Sequence, residues 1–143
     1  MNKLLSLITS PKAIGYNGII LFLRVFIGIL MMTHGLAKLN HFDQMANSFL
    51  DPIGWGSKIS LIMIIFAELG CSILLILGLF TRLAIIPLLF SMSIAILVAH
   101  GADPFSAKEM AVLYAGVYFV LFFTGGGTLS IDNFIYKKLS HKK

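Results

Sequence analysis

Charge and cysteine are what this chain has least of. Eleven basic and six acidic residues stand among 143, so charged residues make up 12% of the sequence, about half the share found in an ordinary soluble domain. Cysteine occurs once, at Cys71, which excludes an intramolecular disulfide and any redox cycle between two thiols of this chain. HxxxH, CxxC and CxxCH spacings are absent, so no metal or haem is assigned. The net charge of +5 gathers in the tail YKKLSHKK, which reads as a topology and lipid signal rather than a nucleic-acid footprint.

Apolar sequence fills the space that charge leaves. Hydrophobic residues make up 58% of the chain and the mean hydropathy is +0.94, the composition of a membrane protein. A helix crossing the hydrocarbon layer needs roughly 20 mostly apolar residues. Residues 19–38, 59–80, 83–100 and 107–124 come close to that. They use nearly the whole chain and leave no room for a soluble domain. The expected fold is all-α: a polytopic membrane four-helix bundle, one domain over 1–143, with short interfacial helices. A cleaved signal peptide is the competing reading of the first apolar stretch. Residues 1–18 argue against it, because Pro11, Lys12, Gly15, Asn17 and Gly18 punctuate them before a full-length span that carries Arg24. The lead MNKLLSLITS would lie at the interface if helical.

Basic residues set the expected orientation. With both termini in the cytoplasm, Lys3, Lys12, Arg82, Lys137, Lys138, Lys142 and Lys143 fall inside, and Lys38, Lys58 and Lys108 outside. Residues 125–143 then form a basic cytoplasmic tail. In HFDQMANSFLDPIGWGSK the apolar spacing of Phe42, Met45 and Phe49 predicts a short interfacial helix ended at Asp51-Pro52. Thr81-Arg82 is read as the whole turn between the second and third spans.

Glu68 is the residue this background makes conspicuous. It lies in FAELGCSILLILGLFTR, ten residues from Lys58 and so ~15 Å deep at 1.5 Å per residue. A carboxylate facing lipid there would cost about 2.5–3.5 kcal/mol, so it must face inward and either stay protonated or find a cation. Counting back from Lys38 places Arg24 ~6 Å from the same level, which makes Arg24 the expected partner. That pair either fixes helix register or forms part of a proton-exchanging site, and the two roles are compatible. His34, His100 and Glu109 gather on the outer side with Lys38 and could line a cleft with Glu68. Cys71 reads as a small core residue. Gly28, Gly35, Gly70 and Gly78 read as points of close helix approach, and the aromatics from Tyr114 to Phe123 as packing or lipid-facing surface. Electrons, if the chain handles them, must travel on an organic cofactor or a partner's thiols.

These residues also carry a resemblance. Arg24, Gly28, His34, Gly35 and Lys38 in the first span, Glu68, Gly70, Leu77, Gly78, Thr81 and Arg82 in the second, His100, Glu109, and the run Gly125 to Asp132 together resemble the DoxX family over residues 20–132. The resemblance implies a small four-helix inner-membrane protein of oxidoreductase type, with relatives linked to quinone-coupled sulfur oxidation or to thiol and oxidative-stress complexes. The expected function is a membrane oxidoreductase component that engages quinone or quinol. Glu68, Arg24, His34 and His100 are its catalytic candidates, and Lys38, Glu109 and Arg82 its cofactor-binding candidates. The alternative is a noncatalytic anchor or assembly subunit recruiting a soluble redox enzyme. Membrane lipid, a soluble or membrane redox partner and further copies of the chain are the partners considered. A solute carrier is disfavoured by the lack of an internal repeat.

Overall fold

A computed structural model describes residues 15–140. The N-terminal lead and its interfacial placement lie outside the described residues. Among the described residues, four helices are long and apolar enough to cross a membrane: α1 (Tyr16–Asn40), α3 (Ser57–Leu77), α4 (Thr81–Ala99) and α5 (Phe105–Thr124). The short α2 (Phe42–Met45) follows α1, and α6 (Ile131–Ser140) follows α5. No strand occurs among the described residues.

Leu75, Ile85, Leu88, Tyr118 and Leu121 are fully enclosed between the spans, with Ile20, Ile27 and Met31 of α1 closing the cluster. Outward, the same helices expose Phe22, Phe66, Leu83, Leu97, Phe119 and Phe123. Apolar patches this extensive are incompatible with water on all sides, and a hydrocarbon solvent accounts for them. A smaller cluster joins Ala46, Leu61 and Ile65, with Phe42, Met45 and Phe49 packed against it. The segment after α1 therefore folds back along the first half of α3.

Glycines set how α1 meets α3. A Cβ on Gly35 would stand 2.8 Å from the Leu69 amide nitrogen and 3.0 Å from the Glu68 carbonyl carbon. One on Gly28 would stand 2.6 Å from Ile76 Cγ1. Gly78 closes α3 at φ 66°, with Gly78 N–H donating to the Leu75 carbonyl and Leu79 N–H to that of Leu74, a Schellman ending that favours glycine. The turn to α4 is Gly78–Phe80, not Thr81-Arg82. Those two residues open α4 instead, because the Asp132 carboxylate accepts the Phe80 and Thr81 N–H groups at 2.7 and 2.9 Å and so caps the helix from 51 residues away.

Candidate functional site

Two segments depart from α-helical hydrogen bonding, Phe66–Cys71 in α3 and Ala95–Ala99 in α4, and both are π-helical. Such insertions are uncommon and gather at functional sites. Here both flank one cavity of about 410 Å³. Its walls are apolar, with Phe49, Met63, Phe66, Pro87, Phe90 and Ile94 prominent, and its ionisable side chains are Lys38, Glu68 and His100.

Glu68 is 5% exposed, as expected of an inward-facing carboxylate. Its partner is different. Lys38 Nζ donates to Glu68 Oε2 at 2.7 Å, whereas Arg24 stands far down the same helix. The glycine contacts explain this correction. Gly35 abuts Glu68 and Leu69, and Gly78 abuts Arg24, so Glu68 lies about one turn from Lys38 but 11 residues, ~16 Å, from Arg24. The first residues of α3 project beyond the end of α1 beside the folded-back α2 segment. Lys58 and Lys38 are thus not at one level, and depths counted from them do not share an origin.

Arg24 does separate work. It is 1% exposed, its Nη2 donates to the Leu129 carbonyl at 2.7 Å, and a Cβ on Gly78 would overlap its Nη1. It ties the Gly125–Asp132 loop to the spans. Arg82 lies at the same end, its Nε and Nη2 donating to the Phe122 and Phe123 carbonyls at 3.1 and 3.4 Å. Neither arginine lines the cavity that holds Glu68. His34 is exposed and meets Tyr114 of α5 edge-on, ring centroids 5.9 Å apart, outside that cavity. Glu109 is exposed on the first turns of α5 and lines neither large cavity. Of the seven sequence candidates, Glu68, Lys38 and His100 come together.

His100 sits where α4 ends, with Nδ1 2.8 Å from Asp103 Oδ2. Next to the cavity's other rim, Asp51 accepts hydrogen bonds from Gly54, Trp55 and Gly56 N–H at 3.0, 3.2 and 2.7 Å and from Ser60 Oγ at 2.7 Å. The Ser60 hydroxyl, then the Gly56 N–H, hold its carboxyl below the usual aspartate range. This knot fixes the loop that carries Leu50, Pro52 and Ile53 into the wall. Sequence reasoning missed it, although an aspartate followed at short range by two glycines and a serine is a turn signal. Cys71 is buried and free, in the core cluster with Leu75 and Tyr118.

The DoxX family model matches residues 19–101, which contain the whole of α1, α3 and α4 apart from the first turn of α1. The chain belongs to the DoxX family. It is therefore a multi-pass membrane protein. An uncharacterized protein of Haemophilus influenzae is 32% identical over 127 residues, covering 82% of this chain and 90% of that protein. No solved structure matches.

Proposed function

We propose that this DoxX chain is a quinone- or quinol-linked oxidoreductase component of a bacterial inner membrane, with the Lys38–Glu68 cavity as the ring site. The observation that carries the reading is an ion pair placed among apolar walls in a cavity of about 410 Å³. That volume suits a small organic ligand, and apolar walls with a few ionisable groups suit a flat ring bearing polar oxygens. A quinone exchanges two electrons and two protons at its carbonyl oxygens. The Lys38 ammonium offers a cation where negative charge develops. Glu68 is the proton-exchanging group, ion-paired with Lys38 in the place expected of Arg24. His100, steered by Asp103 at the mouth, relays protons to the outer surface. Phe66, Pro87 and Phe90 supply packing surface. On the orientation set by the basic tail, this mouth is periplasmic and α6 is cytoplasmic.

Mass spectrometry and an absorption spectrum of gently extracted protein test the reading, followed by titration with a short-tailed ubiquinone. Retained quinone, and saturable binding weakened about tenfold or more by Glu68→Gln, support it. Absence of quinone and of saturable binding, with Glu68→Gln neutral in membranes, sinks it. One feature favours a second reading as an anchor for a soluble redox enzyme: α6 exposes Phe134, Tyr136 and Leu139 beside Lys137 and Lys138. In that case removing residues 137–143 abolishes function and Glu68→Gln does not.

A further inference from the structure

A second cavity, of about 460 Å³, lies at the opposite end of the bundle from Glu68. Its lining joins Phe80 and the start of α4 (Thr81 to Leu83), the glycine loop Gly125–Gly127, Ser130, and Asp132 and Tyr136 of α6. The redox reading does not use it.

Polar groups in this cavity are left without partners. Thr81 is 1% exposed and its hydroxyl has no hydrogen-bond partner among the described residues, and a Cβ on Gly126 would stand 2.8 Å from it, so it is turned toward the glycine loop. An unsatisfied buried hydroxyl costs about 1–3 kcal/mol, which a ligand oxygen would relieve. Arg82 spends Nε and Nη2 on the Phe122 and Phe123 carbonyls, leaving Nη1 uncommitted among the described residues. Gly125 and Gly127, at φ 69° and 71°, keep the opposite wall free of side chains. The acid on the wall, Asp132, has both oxygens committed to the Phe80 and Thr81 N–H groups. Arg82 is the one cation among the residues described as lining this cavity, and with the Asp132 carboxylate turned to the start of α4 it is the charge that an anion would meet.

The surroundings decide which anion. Phe80, Leu83 and Tyr136 line the same cavity and are 59%, 65% and 71% exposed. Free phosphate has no use for such surface, whereas an acyl chain does. We infer that the cavity between Thr81–Arg82 and the glycine loop binds the phosphate headgroup of an anionic phospholipid. The Thr81 hydroxyl and Arg82 hold phosphate oxygens, and the acyl chains run along Phe80 and Leu83.

Native mass spectrometry of the full chain, delipidated in detergent and titrated with phosphatidylglycerol, phosphatidylcholine or inorganic phosphate, tests this. Phosphatidylglycerol is retained in preference to phosphatidylcholine, whose phosphate is balanced by its own cation. Thr81→Val, a near-isosteric change at a group that bonds nothing, lowers phosphatidylglycerol occupancy about fivefold. Arg82→Gln lowers it about tenfold or more. Millimolar inorganic phosphate leaves the bound lipid in place. Equal retention of the two lipids with both variants unchanged overturns the inference, and so does displacement of lipid by inorganic phosphate. Quinone binding at the far cavity is unaffected by Thr81→Val, so the two sites fail or succeed separately.

Discussion

Lys38 and Glu68, 30 residues apart, are joined by a 2.7 Å hydrogen-bonded ion pair that links α1 to the π-helical turn of α3. Removing one member leaves the other charge in a low-dielectric site, which costs several kcal/mol for a fully buried pair. Lys38 keeps 22% of its side chain exposed, so the expected loss is lower, about 2 kcal/mol for Lys38→Met. The double variant Lys38→Met with Glu68→Gln loses less than the sum of the two single variants. Thermal unfolding of the four proteins in one detergent measures the coupling, and strict additivity would mean the two charges do not interact.

Arg24 belongs to a different task, and its variants separate from those of Glu68. Arg24→Met strips the Leu129 carbonyl of its donor and is expected to cost about 1–3 kcal/mol. Asp132→Ala removes the cap on α4 and costs about 1–2 kcal/mol. Both lower the unfolding midpoint while leaving ligand affinity at the Lys38–Glu68 cavity within about twofold, because residues 7–10 Å or more apart with no shared partner act independently. A collapse of that affinity in Arg24→Met would restore the arginine to the proposed quinone site.

The membrane class and the apolar spans were legible because hydrocarbon imposes both length and composition. So was the inward side chain of Glu68, since lipid exposure is too costly for a carboxylate. Its partner was not legible. Helical rise gives relative depth only along one helix, and the register between helices is set by contacts such as Gly35 against Leu69, which hydropathy does not encode. The same limit hid the capping of α4 by Asp132: the motif residues stood out, but a bond across 51 positions has no local signature. His34 misled for a related reason, since on α1 it lies close in sequence to Lys38 yet faces Tyr114 of α5.

Asp51 makes the loop beside the cavity sensitive to acid. Its four hydrogen bonds favour the carboxylate, and the folded value lies below the ordinary one. A depressed folded value means the stabilisation is present above the unfolded value and fades as pH falls through the folded one. Wild-type protein therefore shows a falling midpoint below the ordinary aspartate range, and Asp51→Asn flattens that part of the profile. Unfolding midpoints measured against pH for the two proteins check it, with an unchanged slope counting against the role of the loop.

Gly35 is where the site is most exposed to a single methyl group. A Cβ there would stand 2.8 Å from the Leu69 amide and 3.0 Å from the Glu68 carbonyl carbon, both in one peptide unit of α3, so no flexible side-chain end is there to move aside. Gly35→Ala must push α1 away from the π-helical turn, stretching the Lys38–Glu68 contact along with it. Overpacking of this kind costs about 1–3 kcal/mol, and the ligand affinity of the cavity falls in step. Gly116 on α5 is the matched control, since a Cβ there meets nothing within 4 Å. Gly116→Ala is expected to be neutral or to stabilise by up to about 1 kcal/mol through helix propensity. If the two alanine variants unfold at the same temperature, the close approach of α1 to Glu68 does not set the geometry of the ion pair.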